Sequence, residues 1–149
     1  MPGESYQTFR ADDIKLDYAK FFVSFYSNTA LPPYLRPDKS YANLYYGEGM
    51  NPENLIASSF TEEDNGWITY DFGGADLLIG EIYSIEMWGK YKIHTNVDLT
   101  LGVINDYEDG KFRYGGKTRG DATFEILTTP EPATLLLLGL GAVMVRRKH

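Results

Sequence analysis

The clearest pattern in the chain is a strict alternation over Trp67-Ile68-Thr69-Tyr70-Asp71-Phe72, closed by Gly73-Gly74. Ile68, Tyr70 and Phe72 fall on one side and Trp67, Thr69 and Asp71 on the other, so the spacing predicts a strand with one apolar face. Ile79 to Trp88 alternates too, with Ile79, Glu81, Tyr83, Ile85 and Met87 opposite Ile82, Ser84, Glu86 and Trp88. Ile14 to Tyr26 reads two ways. Ile14, Tyr18, Phe22 and Tyr26 recur at helical spacing, while Ile14, Leu16 and Tyr18 alternate. The aromatic and β-branched content of this run favours a strand.

Shorter runs at Tyr41–Tyr46, Ile56–Phe60, Tyr91–His94, Asp98–Ile104, Lys111–Tyr114 and Ala122–Leu127 are separated by turn-forming stretches such as Asn105–Gly110 and Gly115–Gly120. Pro32, Pro33 and Pro37 make Ser27–Ser40 a loop, and Met1–Asp13 is polar and mixed in charge, with no element assigned. Short strands at this spacing, with no helical period between them, predict an all-β fold. Residues 1–127 are expected to form an antiparallel β-sandwich body.

Composition narrows the chemistry. The chain has 149 residues, no cysteine and a formal charge of −7. Disulfides, thiolate nucleophiles and cysteine-based metal sites are therefore excluded. So is a basic face for a phosphate backbone, which makes nucleic acid an unsuitable partner. The acidity is uneven, because Arg146, Arg147 and Lys148 close the chain and leave the rest more acidic still.

The C-terminal segment, residues 128–149, differs in character from the body. Thr128-Thr129-Pro130-Glu131-Pro132 cannot continue a strand, and Ala133–Val145 carries no charge. As a helix this stretch spans roughly 20 Å, short of the ~30 Å hydrocarbon core. A buried terminal element of the domain would show polar positions on one face, and none is present. A short transmembrane helix, stopped by Arg146, Arg147 and Lys148, accounts better for the pattern and leaves the acidic body outside the cytoplasm.

Pro130-Glu131-Pro132, the uninterrupted Leu-rich segment and the terminal Arg-Arg-Lys together resemble the PEP-CTERM protein-sorting signal of bacterial exported proteins. That resemblance covers about the last twenty residues. It implies export, transient anchoring in the inner membrane and processing near Pro130-Glu131-Pro132 by an exosortase-type membrane peptidase. The processed body would then join the cell surface or an extracellular polysaccharide matrix. Proteins with such a tail also carry an N-terminal export signal. Met1–Asp13 does not read as one, so either the native start lies upstream, which is the expectation, or the tail is vestigial.

Candidate catalytic groups are sparse. His94 and His149 are the only histidines, and no Gly-x-Ser-x-Gly elbow is present. Glu81 and Glu86 are five apart, hence on opposite faces of one strand and unable to converge on one bond. Asn105–Gly110 departs from a calcium loop, since Tyr107 occupies a ligand position and Gly116 stands where a glutamate should close it. An acidic turn is the better reading, and no metal or cofactor is expected. Arg119-Gly120-Asp121 matches an adhesion tripeptide but carries no weight at that length.

The aromatic residues remain. Tyr34, Tyr41, Tyr45 and Tyr46 lie in or beside loops, and Trp67 and Trp88 begin and end strands. Core or edge packing is their default role, but Tyr34, Tyr45, Tyr46 and Trp88 are candidate ligand-binding aromatics, because sugar C–H faces stack on rings. Trp67-Ile68-Thr69-Tyr70-Asp71-Phe72-Gly73 is also similar to a strand of discoidin-type, galactose-binding-like sandwiches, a resemblance that covers residues 41 to 104. This implies a jelly-roll-like body and transfers no binding residue. The expected function is a non-enzymatic surface or matrix-associated protein that binds polysaccharide. The alternative is a secreted glycan-acting hydrolase.

Overall fold

The computed structural model describes residues 5–25, 39–63, 66–89, 91–93, 97–98, 103–104, 110–114, 117–118 and 122–130. Their strands are β1 (Ser5–Arg10), β2 (Lys15–Phe25), β3 (Ser40–Tyr46), β4 (Leu55–Thr61), β5 (Gly66–Asp76) and β6 (Ile82–Trp88). They continue as β7 (Tyr91–Ile93), β8 (Val97–Asp98), β9 (Val103–Ile104), β10 (Phe112–Tyr114), β11 (Lys117–Thr118) and β12 (Phe124–Thr129).

One antiparallel sheet has the order β11-β10-β1-β6-β3-β4, and a second is built from β12-β2-β5. Val23 of β2 pairs with Gly66 of β5 and with Ile93 of β7, so β7 lies on the other edge of β2, in line with β12. β8 and β9 form a separate short hairpin. The body is therefore all-β, as the alternation predicts, with two antiparallel sheets enclosing one core.

Alternation decides which side chains meet between the sheets. Phe9, Ala42, Leu44, Tyr83, Ile85, Met87 and Phe112 come from the first sheet, and Leu16, Ala19, Phe21, Val23, Ile68, Tyr70 and Phe72 from the second. Burying each of the larger ones contributes about 1.5–3 kcal/mol. Tyr83 is fully buried, and its hydroxyl accepts the Leu78 N–H at 2.7 Å, so its polar tip is not orphaned.

Four expectations need correction. Ser5–Arg10 is a strand in the interior of the first sheet, although its sequence reads as polar. Gln7 there is completely buried because its Oε1 accepts the Ala122 N–H and its Nε2 donates to the Thr8 carbonyl. The second correction concerns Gly73-Gly74, which does not end β5. Both glycines take positive φ, Asp71 Oδ1 accepts the Gly73 N–H, and the strand runs on to Asp76. Third, Ile79–Glu81 is a turn, and β6 begins only at Ile82. Fourth, Asp98–Ile104 splits into β8 and β9. Among the described residues no helix is long and apolar enough to cross a membrane. The apolar helix expected over Ala133–Val145 lies outside the described residues.

The connections 11–14 and 77–81 run side by side at one end of the sandwich. Ala11 N–H bonds Glu81 O at 2.9 Å, Gly80 N–H bonds Ala11 O at 2.7 Å, and Leu77 N–H bonds Ile14 O at 2.7 Å. β12 finishes at this end, because Thr129 pairs with Lys15 at the start of β2, and Lys15 pairs with Asp76 at the close of β5.

Candidate ligand-binding face

The outer face of the six-stranded sheet is where aromatic and polar side chains gather. Register aligns them in rows across the strands. Phe60, Tyr41 and Trp88 share one row, with Tyr41 paired to both neighbours. Ser58, Asn43, Glu86, Tyr6 and Arg113 form the next, and Tyr45, Ser84 and Thr8 the one after.

In the first row the Tyr41 and Trp88 rings stack at 4.2 Å with planes 16° apart. Phe60 tilts against Tyr41 at 6.4 Å, and Lys39 Nζ sits 4.2 Å from the Phe60 ring centre. The rings stand against one another as a ladder rather than lying flat as a strip. Trp88 and Phe60 nevertheless remain 45 % and 57 % exposed.

The second row supplies hydrogen bonding. Glu86 Oε2 accepts from Tyr45 Oη at 2.8 Å and from Asn43 Nδ2 at 3.0 Å, while Ser58 Oγ donates to Asn43 Oδ1 at 2.7 Å. The Asn43 amide is thereby held in one orientation. Glu86 Oε1 makes no hydrogen bond among the described residues. Burial, together with the Glu86 carboxylate beside it, pushes the Tyr45 hydroxyl up to about 12.

The third row is closed over. Gly49 N–H donates to Ser84 Oγ at 2.9 Å, and Ser84 Oγ donates to the Gly47 carbonyl at 2.7 Å. Glu48, from the same loop, bridges Lys111 Nζ at 3.0 Å and Arg113 Nη2 at 3.2 Å. A polar, half-open surface with an aromatic ladder along one side is left uncovered.

The four candidate aromatics therefore part company. Trp88 belongs to the exposed row. Tyr45 is on the same face but is buried as a donor to Glu86. Tyr46 follows it in the strand and turns to the other side. It packs edge-on against Tyr83 and donates to Glu81 at 3.1 Å, which raises its hydroxyl pKa above the ordinary value. Tyr34 lies outside the described residues, as do Glu131, Pro132, Arg146, Arg147 and Lys148. Sequence reasoning did not select Phe60, Asn43, Ser58 or Glu86 as site residues, nor Tyr41 as a candidate. The alternation of Tyr41, Asn43 and Tyr45 against Ala42 and Leu44 was a usable signal for part of this set. No group of three or more Asp, Glu or His among the described residues could hold a metal ion.

The tail begins on the other sheet. β12 is an edge strand, and Thr128 and Thr129 occupy its last rungs opposite Leu16 and Lys15. Thr128 Oγ1 donates to Asp13 Oδ2 at 2.9 Å, and Thr129 Oγ1 donates to Asp17 Oδ2. Pro130 follows directly and has no N–H to extend the ladder.

Residues 128–148 match the PEP-CTERM protein-sorting motif. No curated protein and no solved structure matches the chain. The motif is the mark of an exported protein, anchored transiently in a membrane and sorted through an exosortase, itself a membrane protein. Its first two residues are also the last two of β12, which corrects the expectation that Thr128 and Thr129 cannot continue a strand: their pairing with Leu16 and Lys15 carries the ladder up to Pro130, so strand and sorting motif overlap.

Proposed function

We propose that this chain is an exported, non-enzymatic protein of the cell surface or extracellular matrix that binds polysaccharide on the outer face of its six-stranded sheet. The observation that carries the binding reading is the Phe60–Tyr41–Trp88 row set beside Glu86, Asn43 and Ser58. A pyranose offers C–H faces to aromatic rings and hydroxyls to carboxylate and amide groups, and these two rows supply both kinds of partner. Glu86 Oε1, which makes no hydrogen bond among the described residues, is an acceptor for a sugar hydroxyl.

A non-enzymatic role is supported by how the carboxylates of this face are employed. Glu86 already receives Tyr45 and Asn43, and Glu48 receives Lys111 and Arg113. Each is already engaged as an acceptor by neighbouring side chains, which suits positioning rather than proton donation to a leaving group. Orientation supports display. Trp88 closes β6, whose first residue adjoins the end where the tail departs, so the row sits about 20 Å along the strand from that end. A tethered body would present it away from the membrane.

The test is a glycan array of neutral and acidic polysaccharides, probed with the processed protein recovered from cells and with its Trp88→Ala variant. Binding by the wild type that the variant loses supports the reading. No wild-type signal on any polysaccharide would overturn it.

A further inference from the structure

The turn between β5 and β6 displays two large apolar side chains, Leu78 and Ile79, each 63 % exposed. They are not loosely held. Leu77 is buried beneath them, Leu78 N–H is bonded to Tyr83 Oη, Gly80 N–H to the Ala11 carbonyl, and Glu81 N–H to the Leu78 carbonyl. Arg10 Nη1 donates to the Gly80 carbonyl at 2.6 Å. Gly80, at φ 86°, supplies the left-handed position that such a turn requires. The fold thus fixes the backbone of a turn whose apolar side chains face solvent.

Their position is informative. Thr129, the last residue of β12, pairs with Lys15, Lys15 pairs with Asp76, and Leu77 follows Asp76. The turn and the departing tail therefore share one end of the sandwich. Only Pro130, Glu131 and Pro132 separate Thr129 from the apolar segment that begins at Ala133. A fully extended chain covers at most about 14 Å over that interval.

We propose that Leu78 and Ile79 form a second membrane contact, entering the bilayer interface next to the anchored tail and holding the body upright before processing. This rests on the anchored-tail reading above. The occupant is lipid rather than protein because the short Pro130–Pro132 segment confines this end to the bilayer surface. The contact is apolar in character. Asp12, Asp13, Asp17, Asp76 and Glu81 outnumber Arg10 and Lys15 around it, so charge attraction to anionic headgroups does not drive it. Two aliphatic side chains also reinforce an apolar segment that is short for a full span.

The absence of cysteine in the chain makes the test direct. Single substitutions Ile79→Cys, Glu62→Cys and Leu138→Cys in the full chain carry a fluorophore. Each protein is reconstituted into phosphatidylcholine vesicles containing a bilayer-resident nitroxide lipid quencher. Quenching is expected at 138 and 79 and not at 62, which lies beyond the far end of β4. It should persist at high salt and be no stronger on phosphatidylglycerol vesicles. Quenching at 138 alone would overturn this proposal and leave the anchored tail standing, whereas quenching at neither 138 nor 79 would overturn both. Self-quenching between labels at 79 that rises with the protein-to-lipid ratio, without quenching by the nitroxide lipid, would assign the turn to a second copy and also overturn it. As an independent readout, the Leu78→Ser/Ile79→Ser double variant should lower vesicle partitioning by about tenfold. Both side chains are exposed, so the variant retains the fold.

Discussion

Tyr45 and Glu86 are joined across β3 and β6 by a 2.8 Å hydrogen bond, although the residue directly opposite Tyr45 is Ser84. The bond is diagonal, and it ties the loop-covered part of the outer face to its open part. It also sets a pH response. The Tyr45 hydroxyl ionises at about 12 in the folded protein, against 10.0 for an ordinary tyrosine. Below pH 10 both folded and unfolded chains keep this proton, and its contribution to stability is complete. Between pH 10 and about 12 the unfolded chain releases it first, so stability falls as pH rises. Denaturant titrations across this range should show a steeper loss for the wild type than for Tyr45→Phe. Equal slopes would mean that Tyr45 is not the group responsible.

Gln7 gives a second expected outcome. Its amide is wholly buried and satisfies the Ala122 N–H, which is itself buried. Gln7→Leu would leave that donor unpaired in the core, a loss of about 1–3 kcal/mol. The denaturation midpoint should drop with little change in m-value, and a midpoint equal to wild type would show that Ala122 finds another acceptor.

The same residue explains what the sequence concealed. Strands with one clean apolar face, such as Trp67–Phe72, announce themselves by alternation, and their inward residues are indeed Ile68, Tyr70 and Phe72. Ser5–Arg10 sits between β10 and β6 with both faces largely covered, and its polar side chains Ser5, Gln7 and Thr8 are paid for by hydrogen bonds with Met87, Ala122 and Lys111, far along the chain. No local pattern encodes a partner 115 residues away. The candidate face was half legible for a related reason. Composition flagged the aromatics, but only the pairing of β4, β3 and β6 brings Phe60, Tyr41 and Trp88 into one row, and a shift of one residue along β3 would have turned Tyr46 to this face in place of Tyr45. The sorting tail needed no tertiary information, because its signal is a linear order of residue types.

Trp88 is expected to matter for ligand more than for folding. It is 45 % exposed, and its stack on Tyr41 contributes about 0.5–1.5 kcal/mol. Trp88→Ala should weaken polysaccharide retention in affinity electrophoresis about tenfold, which corresponds to roughly 1.4 kcal/mol, with a modest fall in Tm. Trp67→Ala is the matched comparison. Trp67 is 47 % exposed and packs on Phe22 in the other sheet, so retention should be unchanged. Equal effects from the two substitutions would remove the case for this face.

The overlap of β12 with the sorting motif bears on processing. Thr128 and Thr129 are held by their pairing with Leu16 and Lys15 and by hydrogen bonds to Asp13 and Asp17. A peptidase that grips the chain from Thr128 onward must first peel these rungs away, at a cost on the order of 1–2 kcal/mol. The exposed fraction is then roughly one in ten or less. Inserting a flexible Gly-Ser linker of about six residues between Thr129 and Pro130 relieves the approach to the motif without disturbing the sheet. Pulse-chase mass measurement of the cell-associated protein should then show processing accelerated by up to about tenfold, and Asp13→Ala should move it the same way by a smaller factor. Unchanged rates in both would mean that the peptidase reads only from Pro130 outward, leaving the body folded to its last rung throughout.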